Sequence, residues 1–161
     1  MIAAVLLERA ARPLLLLHAV LGFAAVFSAT HLAVYALLAL GGRGLSGLRR
    51  FSWIAPAAVA PQFALGLLLY PAYRVHVRAA HLDRTAPFVA QLFDFKEHLA
   101  LLGLVLVIGA ALLARLGFRN AGDAAGLRPA LAALSSSGAV LLWAVALLGL
   151  YVTARHPVGS P

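Results

Sequence analysis

Four apolar stretches, each long enough to cross a bilayer, are separated only by short polar connections, and this pattern leaves few folds open. Hydrocarbon offers no partner to a backbone N–H or C=O group, so a chain passes through it as helices or as a closed barrel. Continuous apolar runs, without the alternation of a lipid-facing strand, point to helices, and about 20 residues suffice for one crossing. We therefore expect an all-α integral membrane protein, a four-transmembrane-helix bundle with helices at about 13–40, 52–76, 87–116 and 129–155 in a single membrane domain over 1–161. Four crossings place both termini on the same side. Composition agrees: 63% of residues are hydrophobic and 11% charged, against about 25% charged in a soluble domain. The spans use up most of the 161 residues, so no separate catalytic domain and no stand-alone catalytic activity are expected.

Punctuation along the chain sets the boundaries. Pro13 suits the first turn of helix one, and Gly41-Gly42 ends it. The run Leu14 to Leu40 has 27 residues, well beyond the about 7 to 15 of a signal-peptide core, so it reads as a retained span. Arg43 to Arg50 reads as a short basic loop, with Pro56 and Pro61 near the start of helix two. Residues 72–96 are the most polar part, Pro87 opens helix three, 117–128 is a loop, and Pro129 opens helix four.

The formal charge of +8 does not indicate nucleic acid, because the basic residues lie between apolar runs, where they meet lipid headgroups. Lysine and arginine number 7 on the terminal side (Arg9, Arg12, Arg74, Arg78, Arg84, Lys96, Arg155) and 6 on the other (Arg43, Arg49, Arg50, Arg115, Arg119, Arg128). That near-equality gives no orientation. The absence of cysteine excludes disulfides, thiolate metal sites and covalent haem attachment. The Ala/Leu/Arg-heavy composition points to a GC-rich bacterial source, hence a multi-pass protein of the cytoplasmic (inner) membrane.

Histidines carry the functional signal. Ionisable residues inside spans are costly and are functional candidates by default. Of the six, His18, His76, His81, His98 and His156 map to the terminal-side half, and His31 lies deeper. His18 and His98 fall at similar depth on helices one and three, and imidazoles on facing helices suit haem iron or a transition metal. On helix one, Gly22, Ala25 and Ala29 share the His18 face, a groove for either a flat macrocycle or another helix. In helix four His156, Gly149 and Gly138 are spaced by 7 and 11. His18 and His31 are 13 apart, about 220° around a helix, so one haem at most is expected. His31, between Ser28 and Tyr35, reads as a hydrogen-bonded structural residue.

Asp94 lies four residues before His98, where its carboxylate can accept from the imidazole and fix the tautomer. Gln91 and Asp94 share that face, while Lys96 and Glu97 point elsewhere, toward loop arginines. An interfacial charge cluster is the alternative. Arg74, Arg78 and His81 stand at i, i+4, i+7, one basic stripe if the helix continues past Pro71, suited to haem propionates, a quinone headgroup or lipid phosphate. Tyr70, Tyr73 and Trp53 fit aromatic belts. Ser135-Ser136-Ser137 can bond back to helix carbonyls. No nucleophile–base–oxyanion arrangement or phosphate loop is present.

His18 early in helix one, Arg49-Arg50-Phe51-Ser52 opening helix two, Gly66-Leu67, Lys96, and Trp143 through Gly149-Leu150-Tyr151 span most of the chain. In these pieces it resembles the copper-resistance D domain family and related four-helix membrane haem proteins. Where that family has Trp-x-Gly-Gly after the first histidine, this chain has Gly22-Phe23-Ala24-Ala25. The resemblance implies a bundle that binds haem or copper.

Three functions follow as expectations. The first is a membrane protein binding one b-type haem, for electron transfer or haem handling within or beside a larger membrane complex. His18 and His98 would be its axial ligands, His156 or His76 a substitute, and Arg74 and Arg78 the propionate partners. The second is a copper transporter with His18 and His98 as metal ligands, for which a lone methionine and no cysteine leave few soft donors. The third is a cofactor-free accessory subunit whose partners are lipid and other membrane subunits.

Overall fold

A computed structural model describes residues 10–119 and 124–155. The chain forms α1 (Ala11–Leu40), α2 (Leu45–Tyr73), a π-helical segment (Arg74–Leu82), the single turn α3 (Asp83–Thr85), α4 (Pro87–Arg119) and α5 (Ala124–Arg155). No strand occurs among the described residues. The segments Pro13–Leu40, Leu45–Tyr73, Pro87–Gly117 and Gly126–Ala154 are each long and apolar enough to cross a membrane. At 28 to 31 residues each they exceed the about 20 that hydrocarbon requires, so their end turns reach the headgroup zone.

Helix two begins earlier than the expected Ser52. The Gly41–Gly44 turn accounts for this: Gly42 and Gly44 take φ values of 72° and 70°, where only glycine is free of a Cβ penalty. Gly42 N–H donates to Ala39 O and Arg43 N–H to Leu38 O, at 3.0 and 3.1 Å. The reversal is complete within four residues, and Arg49 and Arg50 fall on an exposed face of α2 rather than in a loop.

Around the bundle, α1 packs on α2 and α5, and α4 packs on α2 and α5, while the diagonal pairs barely meet. Neighbours run antiparallel. His31 and Tyr35 stack on Phe51 while His18 meets Gln62, Tyr73 stacks on Phe93 while Arg115 reaches Ser52, and Leu142 packs at Gly103 while Lys96 reaches Gly149.

Small residues make this closeness possible. Ala25, Ala29, Leu32 and Ala36 recur at helical spacing on α1, and all are buried against Ala55, Val59, Val107 and Ala132. Without a hydrophobic drive between helices in lipid, association rests on such contacts of dispersion range. The groove beside His18 therefore receives helices: Ala25 and Ala29 are buried in the bundle core, and a Cβ on Gly22 would meet Gln62 Nε2 at 3.9 Å. Gly138 likewise packs on Val107 and Leu106. Three prolines, Pro56, Pro61 and Pro71, lie inside α2, each removing a backbone bond.

Gly47 generates a direct test, because a Cβ there would run into the Tyr35 ring, which is itself stacked on Phe51. Gly47→Ala is expected to destabilise the bundle by about 1–3 kcal/mol, the usual cost of overpacking. Thermal unfolding in detergent should show a lowered midpoint that Tyr35→Ala in the same chain largely restores. An unchanged midpoint for the single variant would refute this packing.

Candidate functional site

The densest polar assembly inside the spans lies at the end of the bundle where α1 begins. His18, on the second turn of Pro13–Leu40, is half-buried and turned toward α2. Gln62 Nε2 donates to His18 Nε2 at 3.3 Å, which leaves the proton of the neutral ring on Nδ1. That nitrogen is buried and has no hydrogen-bond partner. Gly66, one turn beyond Gln62, lets the backbone of α2 close on the ring: a Cβ there would come within 3.1 Å of His18 Cε1.

Across the bundle α4 supplies charge. Lys96 and Glu97 are near enough to act electrostatically on His18. Lys96 Nζ donates to Glu97 Oε1 at 2.6 Å, with side chains 15% and 27% exposed. The ammonium also stands 4.9 Å from the centroid of Phe93, and its stem passes Gly149 of α5. Phe93 stacks on Tyr73 at 4.2 Å between centroids. Tyr73 is within the field of Glu97, and its hydroxyl is buried without a partner. In hydrocarbon an unsatisfied polar group costs several kcal/mol, so two orphaned donors at one end of the bundle mark a place where an acceptor belongs.

The other expected site residues are placed differently. His98 is exposed, and its Nδ1–H donates to the Asp94 backbone carbonyl at 2.8 Å. The Asp94 carboxylate does not orient His98. Its Oδ1 accepts from Arg78 Nη1 at 2.5 Å, because the π-helical segment carries that guanidinium to α4, where Asp83 also lies 3.5 Å from Nε. Lys96 and Glu97 pair with each other rather than with loop arginines. The backbone of Arg74–Leu82 is π-helical, an i→i+5 register other than the 3.6-residue spacing by which Arg74, Arg78 and His81 share a face. Arg74 sits 6.0 Å from the Tyr70 ring. His76 and His81 lie in the same segment, with only their backbone described, and His156 lies outside the described residues.

His18 and His98 are thus engaged separately, one against α2 and one on the exterior. His31 donates from Nδ1 to Phe27 O at 2.8 Å and stacks on Phe51 at 5.0 Å, so its partners are its own helix and an aromatic ring, not Ser28. Ser28 and Ser135 bond back to helix carbonyls. No group of three or more His, Asp or Glu side chains suited to a metal ion occurs among the described residues. Gln62, Gly66 and Tyr73 were not expected at the site. The carboxamide of Gln62 in an otherwise apolar stretch was the available signal, since a polar group at that depth requires a partner. The sequence places Tyr73 in an aromatic belt, whereas stacking on Phe93 turns it inward.

The Lys96–Glu97 pair carries a prediction. Replacing Lys96 alone by methionine leaves a partly buried carboxylate without its cation and is expected to cost about 3 kcal/mol. The double variant Lys96→Met with Glu97→Leu should recover most of that loss, read as unfolding midpoints in detergent. Equal losses in the single and double variants would show that the pair is not coupled. No protein-family model, curated protein or solved structure matches this chain.

Proposed function

We propose that the protein is a subunit within or beside a larger membrane complex, serving electron transfer or haem handling through the polar centre around His18, with both termini on one side of the membrane. One observation carries this reading. An ionisable centre is kept within membrane spans, and two of its buried donors, His18 Nδ1 and Tyr73 Oη, lack a partner. A chain that only filled lipid would have no use for it. Such donors would donate to an oxygen-bearing group, a carboxylate or carbonyl, brought by a cofactor or by another subunit.

The residues as folded do not fit a haem clamped between His18 and His98. His18 Nε2 is taken by Gln62, the α2 backbone at Gly66 covers the ring, and His98 faces outward. For a haem b on this chain to use His18, Gln62 would have to leave its Nε2, and Arg74, which meets no carboxylate among the described residues, would be the cation for propionates. Arg78 is already committed to Asp94 and Asp83. Copper transport finds less support, since Met1 is the one methionine and cysteine is absent.

Affinity purification under mild detergent, followed by a reduced-minus-oxidised visible spectrum, tests the reading. Co-purifying membrane subunits in fixed stoichiometry are expected, and their recovery should fall several-fold with His18→Ala but not with His98→Ala. A Soret band belonging to this chain, lost in His18→Ala alone, would assign the haem to it. A monodisperse, colourless protein without partners, unaffected by His18→Ala, would overturn the proposal.

A further inference from the structure

The opposite end of the bundle gathers cations that meet no carboxylate among the described residues. Arg43 is exposed in the Gly41–Gly44 turn, Arg49 and Arg50 are exposed on the first turns of α2, and Arg128 of α5 leans over Gly42, with Nη1 4.0 Å from where a Cβ would stand. Arg115 of α4 completes the group. Its Nη2 donates to the Ser52 carbonyl at 2.6 Å and its guanidinium lies 3.5 Å from the Trp53 ring centroid, while its Nε is buried without a partner. No salt bridge forms at this end among the described residues; all that do form join Arg78 and Lys96 to carboxylates at the other end. Asp123 is the one carboxylate the sequence provides here, and it lies outside the described residues.

We infer that this end of the bundle is a binding surface for anionic phospholipid headgroups, with Arg43, Arg49, Arg50, Arg115 and Arg128 as the cations and Trp53 as the interfacial anchor. The depth is right: Arg115 lies in the last turns of the span Pro87–Gly117, and Trp53, 62% exposed, lies near the start of Leu45–Tyr73. Guanidinium forks match phosphate oxygens, and clustered arginines at the membrane surface select anionic headgroups. A zwitterionic headgroup adds an ammonium, which needs a carboxylate or an open aromatic face. The described residues at this end supply no carboxylate, and Arg115 already covers Trp53.

The chain contains two tryptophans, so Trp143→Phe leaves Trp53 as the sole indole reporter. Reconstituted into phosphatidylcholine vesicles, this variant is titrated with shallow-brominated phosphatidylglycerol or with phosphatidylcholine brominated at the same position. Trp53 quenching should show a preference of roughly tenfold or more for the anionic lipid, which two surface arginines suffice to give. With exposed Arg49→Gln and Arg50→Gln added, the preference should fall roughly tenfold or more from its starting value, on the same reasoning of about 1 kcal/mol per surface arginine. Millimolar inorganic phosphate should leave the quenching unchanged. Equal quenching by the two lipids, a preference undiminished by both substitutions, or relief by inorganic phosphate would each overturn the inference, the last by showing a site for free phosphate.

Discussion

Backbone hydrogen bonding in hydrocarbon is the constraint on which the rest of this structure depends. Each span must satisfy its own N–H and C=O groups, so the chain is helical almost throughout, and the polar groups that remain inside must find partners within the bundle. Ser28, Thr30, Ser52, Ser135, His31 and His98 all do so by donating to carbonyls three or four residues back. These side chains cost little and say little. Among the groups that do not bond back to a carbonyl of their own helix, His18, Gln62, Lys96, Glu97 and Tyr73 reach another element, pair with a neighbouring side chain or remain unsatisfied, and these cluster where α1 begins.

The two ends of the bundle differ in how they handle charge. Where α1 begins, two cations are matched by carboxylates: Arg78 holds Asp94 and Asp83, and Lys96 holds Glu97, while Arg74 lies by the Tyr70 ring. Around Gly41–Gly44 no carboxylate among the described residues meets the cations, and Arg115 uses a carbonyl and an indole face instead. A count of lysine and arginine alone hides this difference, because it treats an ion-paired guanidinium in the bundle like a free one at the rim. The proposed roles follow the same division, with a polar centre for a cofactor or partner at one end and a lipid-facing basic rim at the other.

Side-chain packing converts small-residue patterns into helix contacts rather than cofactor space. The Gly22–Ala25–Ala29 face reads equally well as a macrocycle groove or as a helix seat, since both need close approach without bulk. Ala25 and Ala29 are buried against neighbouring helices, and Gly66 and Gly149 serve the same end against His18 and Lys96. Periodicity along one helix records which residues share a face, and it carries no information about what that face meets.

By itself the sequence determined the membrane class, the number of spans and most of their boundaries, because hydropathy over some 20 residues dominates every local preference in lipid. It also marked His18 as an ionisable residue inside a span, and it read His31 as a hydrogen-bonded structural residue, whose partner is the Phe27 carbonyl. It did not disclose that α2 starts at Leu45, since that depends on two glycines at positive φ, nor that the chain beyond Tyr73 widens into a π-helix, whose register is not the 3.6-residue spacing. Only the tertiary structure decided which partner each polar group takes: Gln62 for His18, Arg78 for Asp94, Glu97 for Lys96. The reason is physical. Span formation is set by transfer of each segment into hydrocarbon, whereas pairing is set by helix rotation and register, which arise from contacts among residues far apart in the chain.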